Sequence, residues 1–269
     1  MKEIVLTLIT LSLVTAHVTR DWSKIIAARR SAPTGINPLA EDLKIVGGNV
    51  ASPNSIPYQA ALILTYSDGA NLCGGSLISR RYVLTAAMCL SSGFESLEVI
   101  LGAHNISQVE PSQQVISNSI FKIHEQYTRQ SQANDIALVY LPTPANLNQY
   151  VQLIALPSRA DVSNNFVGSQ AMASGWGFIY GSSTDISEVL RYVYIPVVRN
   201  NVCRIQLGPA ITNSNICIGG NESKGTCYGD SGGPLVVNGK LVGVASFIGN
   251  PDCSLGEPSA FTRITSYLN

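Results

Sequence analysis

The stretch Leu235-Val236-Val237-Asn238-Gly239-Lys240-Leu241-Val242 indicates how this chain folds. Two short apolar runs flank Asn238-Gly239, a pair in which both residues tolerate a positive φ. Such a pair favours a two-residue turn between antiparallel strands, because the twist of that turn matches the twist of the strands. The stretch therefore predicts a β-hairpin.

Short apolar runs between turn residues recur along the 269-residue chain. Several are rich in Val, Ile and Tyr, which suit the surface of a sheet. No long amphipathic helix is evident before Ile264–Asn269, where we expect a short C-terminal helix. The pattern predicts an all-β, mostly antiparallel fold, as a barrel or a pair of barrels. The main runs are Tyr58–Tyr66, Tyr82–Ala87, Leu97–Leu101, Gln113–Ile123, Ile136–Leu141 and Leu190–Val198.

The N-terminus predicts secretion. Lys2 precedes an apolar run from Ile4 to Val14, and small residues follow, so residues 1–16 are interpreted as a cleaved signal peptide. The run is short for a membrane span. Residues 17–44 are basic and proline-containing with weak periodicity, which predicts a loosely structured propeptide. Residues 45–269 are then the folded domain of an extracellular protein.

Composition narrows the classes of partner. Only 13% of residues are charged and the net charge is zero, so we expect neither a nucleic-acid nor a membrane partner. Six cysteines, none in a C-x-x-C pair, suit disulfides in a secreted protein rather than a structural zinc site. The sequons Asn105-Ile106-Ser107 and Asn221-Glu222-Ser223 are candidate glycosylation sites at Asn105 and Asn221.

A serine lies in a glycine-rich stretch, Gly229-Asp230-Ser231-Gly232-Gly233-Pro234. Acyl transfer needs a nucleophile and donors for the developing oxyanion. Ser231 is the candidate nucleophile, and the N–H groups of Gly229 and Ser231 are candidates for the oxyanion hole. The glycines allow a sharp turn and a close approach of substrate.

The spacing Gly229-x-Ser231-x-Gly233 also matches the nucleophile elbow of an α/β-hydrolase. That fold places its histidine after the serine. Here His17, His104 and His124 all precede Ser231, and alternating βα units are missing. The α/β-hydrolase interpretation is therefore rejected.

Five further motifs precede the Ser231 stretch in the chain, namely Ile45-Val46-Gly47-Gly48, Cys73-Gly74-Gly75-Ser76-Leu77, Leu84-Thr85-Ala86-Ala87-Met88-Cys89, Asp135-Ile136-Ala137-Leu138 and Gly175-Trp176-Gly177. With these motifs in this order, the chain from Ile45 to Asn269 resembles the chymotrypsin/trypsin family of serine proteases. The resemblance implies two packed six-stranded antiparallel barrels with the active site between them. Ser246-Phe247 and Phe261-Thr262-Arg263 resemble arthropod chymotrypsin- or collagenase-like members in particular.

The resemblance also implies disulfides and an activation step. Lys44 precedes Ile45 as an activation site for a trypsin-like protease, which is one expected partner. The freed amino group of Ile45 would then pair with Asp230 and order the oxyanion hole, an arrangement suited to a switch. The implied disulfide pairs are Cys73–Cys89, Cys203–Cys217 and Cys227–Cys253.

One position departs from the family pattern in a way that affects catalysis. Met88 lies where the family has its general-base histidine, and a thioether can neither take nor deliver a proton. Asp135, which would orient that histidine, is expected to keep backbone or hydroxyl partners. His104 and His124 fall at positions where the family carries non-catalytic histidines, so we do not expect either to substitute.

The specificity pocket departs as well. Gly225 occupies the pocket floor, where trypsin-like members have aspartate, so a Lys or Arg preference has no support. Ile248 is expected to crowd the wall of the cleft, and Ser259 is a further pocket residue. We expect no cofactor and no metal, because Glu110 is the only carboxylate in the loop Gly102–Pro111, where some relatives bind calcium.

Two functions follow from these observations. The first is a secreted, monomeric serine protease homologue that is proteolytically inactive and acts by binding a peptide or protein ligand. The alternative is an active or weakly active serine endopeptidase that uses Ser231, Asp135 and the oxyanion hole.

Overall fold

The computed structural model describes residues 25–27, 48–117, 119–179, 185–220, 224–250 and 252–268. The first half of the chain contains β1 (Ile25–Ala27), β2 (Asn49–Val50), β3 (Gln59–Tyr66), β4 (Gly69–Ser79), β5 (Tyr82–Thr85), α1 (Ala87–Leu90), β6 (Ser96–Leu101), β7 (Gln114–Ser117), β8 (Ile120–Ile123) and β9 (Ala137–Tyr140). The second half contains β10 (Gln170–Gly175), β11 (Arg191–Val198), α2 (Asn200–Leu207), β12 (Asn215–Ile218), β13 (Pro234–Val237), β14 (Lys240–Ile248) and β15 (Ser259–Arg263).

The strands form two sheets, one from each half of the chain. The first follows the order β7-β6-β3-β4-β5-β9-β8 and curls into a half-barrel, with β1 added in parallel on β4. The second follows the order β10-β13-β14-β15-β12-β11-β2, and an additional β10–β11 pairing closes six of its strands into a barrel. The predicted all-β, antiparallel fold is confirmed.

Strand β3 shows why the two halves pack together. All residues from Gln59 to Leu64 are buried, so burial does not alternate as it does on a strand with one wet face. Alternate side chains instead enter different clusters, with Leu62 and Leu64 in the largest core and Ile63 in a second cluster with Trp176. Each face of β3 is therefore covered by protein.

Trp176 joins the two halves. Its side chain is fully buried, and the indole Nε1 donates to the His104 carbonyl at 3.0 Å. A buried indole needs such a partner, because an unsatisfied polar group inside the protein is costly. Three disulfides join the pairs that the resemblance implies, namely Cys73–Cys89, Cys203–Cys217 and Cys227–Cys253.

Some local structure differs from the sequence-based expectation. Helix α2 was not predicted, because it has only eight residues and its N-cap, Arg199, offers no capping side chain. The expected C-terminal helix is a single 3-10 turn, Ile264–Tyr267. Strand β1 lies in the segment expected to be loosely structured. No helix among the described residues is long and apolar enough to cross a membrane.

The predicted hairpin is present between β13 and β14. Val237 pairs with Lys240, and the two turn residues have positive φ values of 49° at Asn238 and 73° at Gly239. Both angles lie in the left-handed region that the Asn-Gly pair suits. The turn sets the register of the strand that leads back to the centre of the molecule.

We predict that Gly239→Ala lowers the free energy of unfolding by about 1 kcal/mol. An added Cβ would meet no atom within 4 Å, so the cost comes from the positive φ alone. Gly93→Ala is the matched control, because Gly93 is equally open and its φ is not in the left-handed region. The free energy of unfolding of both variants is measured with denaturant, and equal values would contradict the prediction.

Candidate active site

The Ser231 loop connects the Cys227–Cys253 disulfide to β13. It is held by backbone hydrogen bonds, in which Asp230 N–H donates to the Cys227 carbonyl at 3.1 Å and Gly233 N–H to the Asp230 carbonyl at 2.9 Å. Gly229 and Gly232 have φ values of 93° and 83°, which glycine adopts without strain. Among the described residues, no backbone carbonyl accepts from the N–H of Gly229 or Ser231.

The two sheets touch backbone to backbone beside this loop. Gly74, on β4, donates its N–H to the Ser231 carbonyl at 2.7 Å. A Cβ on Gly74 would lie 2.7 Å from the Gly233 Cα, so any larger residue would push the sheets apart. The hydroxyl of Thr85 donates to the Gly74 carbonyl at 2.8 Å and completes the contact.

Asp135 is buried at the centre of the site, with 1% of its surface exposed. Its Oδ1 accepts the backbone N–H of Met88 at 2.8 Å, and its Oδ2 accepts the Ser246 hydroxyl at 2.5 Å. The Thr262 hydroxyl donates to the Asp135 carbonyl at 2.8 Å. These donors are of the two kinds expected from the sequence, namely backbone and hydroxyl.

Ser246 is aimed at Asp135 by an irregularity in the sheet. The pairing between β14 and β15 shifts register between Ala245 and Phe247, so Ser246 is the extra residue of a β-bulge. Bulges commonly re-aim one side chain beside a functional site.

Met88 lies on the short helix α1 and is half-buried against the largest core. Its neighbour Cys89 is bonded to Cys73, and Cys73 precedes Gly74, which holds the Ser231 carbonyl. Through its backbone and its neighbour Cys89, Met88 is thus linked both to Asp135 and to the strand that holds the Ser231 carbonyl.

Asp230 is a second buried carboxylate, and it lies in a glycine-lined recess. Its Oδ1 accepts the Gly177 N–H at 2.8 Å and its Oδ2 accepts the Cys227 N–H at 3.0 Å. A Cβ on Gly175 or Gly177 would lie within 2.6 Å of this carboxylate, so only glycine fits at either position. Burial raises the pKa of Asp230 to about 6, although the two N–H bonds oppose part of the rise.

The three residues predicted for the specificity pocket come together. A Cβ on Gly225 would lie 3.3 Å from the Ser259 Oγ, which also accepts the Thr226 N–H at 3.3 Å. Ile248 pairs directly with Ser259 across β14 and β15. Because Gly225, Thr226 and Ser259 are uncharged, this cluster offers hydroxyl groups and, among these three residues, no counter-ion for a basic side chain.

Two of the three histidines lie in the described part of the chain. His104 lies beside Trp176, and its Nδ1 is a buried atom with no hydrogen-bond partner among the described residues. The ring of His124 packs edge-on against Tyr267, with 5.3 Å between ring centroids. His17 lies outside the described residues.

The loop around Glu110 uses its carboxylate internally. Oε2 accepts the His104 N–H at 2.6 Å, and Oε1 accepts the Asn105 N–H at 3.1 Å. Asn105 belongs to the first sequon, and its Oδ1 accepts the Ser107 N–H at 2.9 Å. The side-chain nitrogen, which would carry a glycan, takes no part in that hydrogen bond.

Among the described residues, no three His, Cys, Asp or Glu side chains cluster closely enough to hold a metal ion. Lys44, Ile45 and the second sequon at Asn221 lie outside the described residues.

Sequence reasoning missed three residues that position the site. Ser246 and Thr262 hold Asp135, and Gly74 holds Ser231. All three lie in motifs that were recognised, but their contacts join residues more than 100 positions apart in the chain. No local pattern predicts such contacts.

The raised pKa of Asp230 predicts how the stability of the uncut protein depends on pH. Folding raises this pKa from 3.8 to about 6, so the stabilising contribution is full below about pH 4 and is lost as the pH rises through about 6. We expect a loss of about 3 kcal/mol in the free energy of unfolding over this range. Asp230→Asn removes the titration, so the stability difference between variant and wild type should change with pH. A difference that stays constant from pH 4 to pH 8 would contradict the prediction.

Comparisons with known proteins agree with this geometry. The family model described as Trypsin matches residues 45–269. Brachyurin of Leptuca pugilator is 45% identical over 226 residues, which cover 84% of this chain and 96% of that protein. Chymotrypsin of Phaedon cochleariae is 38% identical, with 84% and 80% covered. The solved structure of HL collagenase superposes with a TM-score of 0.74 at 35% identity, covering 82% of this chain and 94% of that one. The chain therefore belongs to the trypsin family of serine proteases.

Proposed function

We propose that this chain is a secreted protease homologue that binds a peptide or protein ligand and does not hydrolyse it efficiently. The observation that supports the proposal is Met88, whose backbone N–H donates to Asp135 Oδ1 at 2.8 Å, at the position where the resemblance to the family implies the general base. A thioether cannot accept the hydroxyl proton of Ser231 or protonate a leaving amine.

The size of the expected loss favours binding over catalysis. Removing the histidine of such a triad lowers turnover by about 10⁶-fold. Correct positioning and an oxyanion hole alone retain about 10³–10⁴-fold over the reaction in water. An unassisted serine hydroxyl is a weak nucleophile at neutral pH. The remaining rate is too low to be the function of a turnover enzyme.

The rest of the site still suits a ligand. The cluster of Gly225, Thr226 and Ser259, which we propose as the specificity pocket, is uncharged, and this favours an apolar or small polar side chain over Lys or Arg. Ile248, paired with Ser259, would add bulk at its wall. A trypsin-like protease would cut after Lys44, and the new amino group of Ile45 would neutralise the buried Asp230. We propose a monomer that acts outside the cell.

The alternative is an active or weakly active serine endopeptidase. It is favoured by the retained Ser231 loop, by the N–H groups of Gly229 and Ser231, which no backbone carbonyl of the described residues accepts, and by an Asp135 whose two carboxylate oxygens both accept hydrogen bonds. Relatives such as chymotrypsin are proteases. A base would then have to come from the substrate or from water held near Asp135.

Labelling by a fluorophosphonate probe separates the two functions. We expect wild-type protein, cut at Lys44, to show no more labelling or peptide hydrolysis than Ser231→Ala, because no group activates the serine. Protein mass spectrometry would establish that the cut is complete. Robust labelling that Ser231→Ala abolishes would favour the endopeptidase.

A repair experiment tests whether only the base is missing. We predict that Met88→His raises peptide hydrolysis by about 10³-fold or more, because Asp135 is already placed to orient an imidazole. Met88→Gln, which has similar size and no useful basicity, is the matched control and should stay inactive. If Met88→His fails and the double variant with Ile248→Gly succeeds, the cleft wall is a second obstacle. Failure of both would contradict the assignment of position 88.

A further inference from the structure

A polar cavity lies in the second half of the fold. It forms where the segment before β10, the start of α2, the turn before β12 and the end of β15 meet, and it encloses about 440 Å³. This volume is within the range of small-molecule sites in proteins. None of its lining residues belongs to the candidate active site, so an inference from the cavity does not rest on the proposed function.

Among the described residues, two arginines and no acidic residue line the polar cavity. Arg199 is exposed just before α2, and no described residue accepts a hydrogen bond from its guanidinium. Arg263 is partly buried on β15, and its Nε donates to the Asn215 carbonyl at 3.0 Å. Asp161, the acidic residue that precedes the first lining segment, is paired with Lys240 at 2.8 Å. The cavity therefore carries two positive charges and no counter-ion among its described lining residues.

Burial makes the missing counter-ion costly at Arg263. It lowers the pKa of the Arg263 guanidinium, because the charged form loses part of its hydration. The guanidinium nevertheless keeps its charge. A charge inside a protein is stable when an opposite charge or hydrogen bonds compensate it. The Nε bond to a carbonyl leaves the terminal N–H groups of Arg263 available to a ligand.

Two asparagines of the polar cavity add further donors. Asn164 accepts the Phe166 N–H with its Oδ1 at 2.8 Å, and Asn165 accepts the Val167 N–H in the same way at 3.0 Å. Because an N–H can only donate, these bonds fix the position of each amide oxygen. The Nδ2 group of each asparagine then remains as a donor for a ligand. Charge and hydrogen-bonding capacity together favour an anion.

Other lining residues suit a hydroxylated ring. Asn200 donates its Nδ2 to the Asn215 carbonyl at 3.0 Å, so its Oδ1 remains an acceptor. Thr265 adds a hydroxyl, which can donate or accept. Val162 and Val167 line the cavity with exposed apolar surface, which suits the C–H groups of a sugar ring. The cavity is thus more than a site for a bare ion.

We propose that the polar cavity binds a sugar that carries a phosphate or sulfate ester. Arg199 and Arg263 bind the ester oxygens, which match the planar fork of N–H donors on arginine. Asn164 and Asn165 donate to the remaining oxygens, and Asn200 accepts a sugar hydroxyl. An inorganic ion would satisfy the arginines alone, whereas the ester also uses the neutral part of the cavity.

Binding is tested on the uncut protein by isothermal titration calorimetry at constant ionic strength. The probes are glucose 6-phosphate and glucose 6-sulfate, and the controls are glucose, inorganic phosphate and inorganic sulfate. We expect at least one ester to bind with a dissociation constant on the order of 1 mM or lower. The ester that binds identifies the source of the oxyanion. Failure of both esters to bind would overturn the proposal, as would binding of glucose or of the inorganic ion as tightly as the ester.

The part played by the arginines is tested with Arg199→Gln. The Arg199 side chain bonds to no described residue, so the fold should be unaffected, and we expect ester affinity to fall at least about tenfold. Arg204→Gln is the matched control, because Arg204 lies on α2 and outside the cavity lining. It removes the same charge and should leave the affinity nearly unchanged. Equal losses in the two variants would assign the effect to net charge and overturn the site.

The position of the bound ester is tested by amide hydrogen exchange. Contacts to Asn164 and Asn165 should hold their loop in place, so we expect the ester to slow exchange in the peptide that contains residues 162–167. Arg199→Gln should remove this protection at the same ester concentration, and Arg204→Gln should retain it. Protection confined to the Ser231 loop would place the ester in the candidate active site and overturn the proposal.

Discussion

The close approach of Gly74 and Gly233 is the constraint on which the site depends. At this point the two sheets meet with no side chain between them, since a Cβ on Gly74 would lie 2.7 Å from the Gly233 Cα. The contact fixes the Ser231 carbonyl on the Gly74 N–H. A continuous series of bonds connects this contact to Asp135. Cys73, next to Gly74, is bonded to Cys89, and Met88, next to Cys89, donates its N–H to Asp135. A small displacement of the sheets would therefore move every candidate catalytic group.

The two buried aspartates have different roles in this arrangement. Asp135 is satisfied by a backbone N–H, by the Ser246 hydroxyl and, at its carbonyl, by Thr262, so it joins both halves of the fold. Asp230 receives two backbone N–H groups and still has a raised pKa, because these bonds do not offset its burial. The first carboxylate is stable as described, whereas the second would be stabilised by a cation.

Much of the fold could be predicted from the sequence, because its signals are local. Asn238-Gly239 predicted a turn whose φ values the structure shows, and recurring apolar runs predicted the antiparallel strands. The disulfide pairs were implied by the resemblance to the family rather than by local signals. The bulge at Ser246 and the glycine recess around Asp230 could not be predicted, because both depend on contacts between distant segments. Strand β1 was missed for the same reason, since its pairing with β4 joins residues 45 positions apart in the chain.

The bond between position 88 and Asp135 also determines how freely that position can vary. The donor is the backbone N–H, which every residue except proline supplies. The carboxylate thus keeps this partner whatever side chain stands there, and the half-buried site tolerates an apolar one. The hydrogen bond that ties α1 to Asp135 is therefore compatible with many side chains at position 88, whereas any part that position takes in proton transfer depends on the side chain it carries.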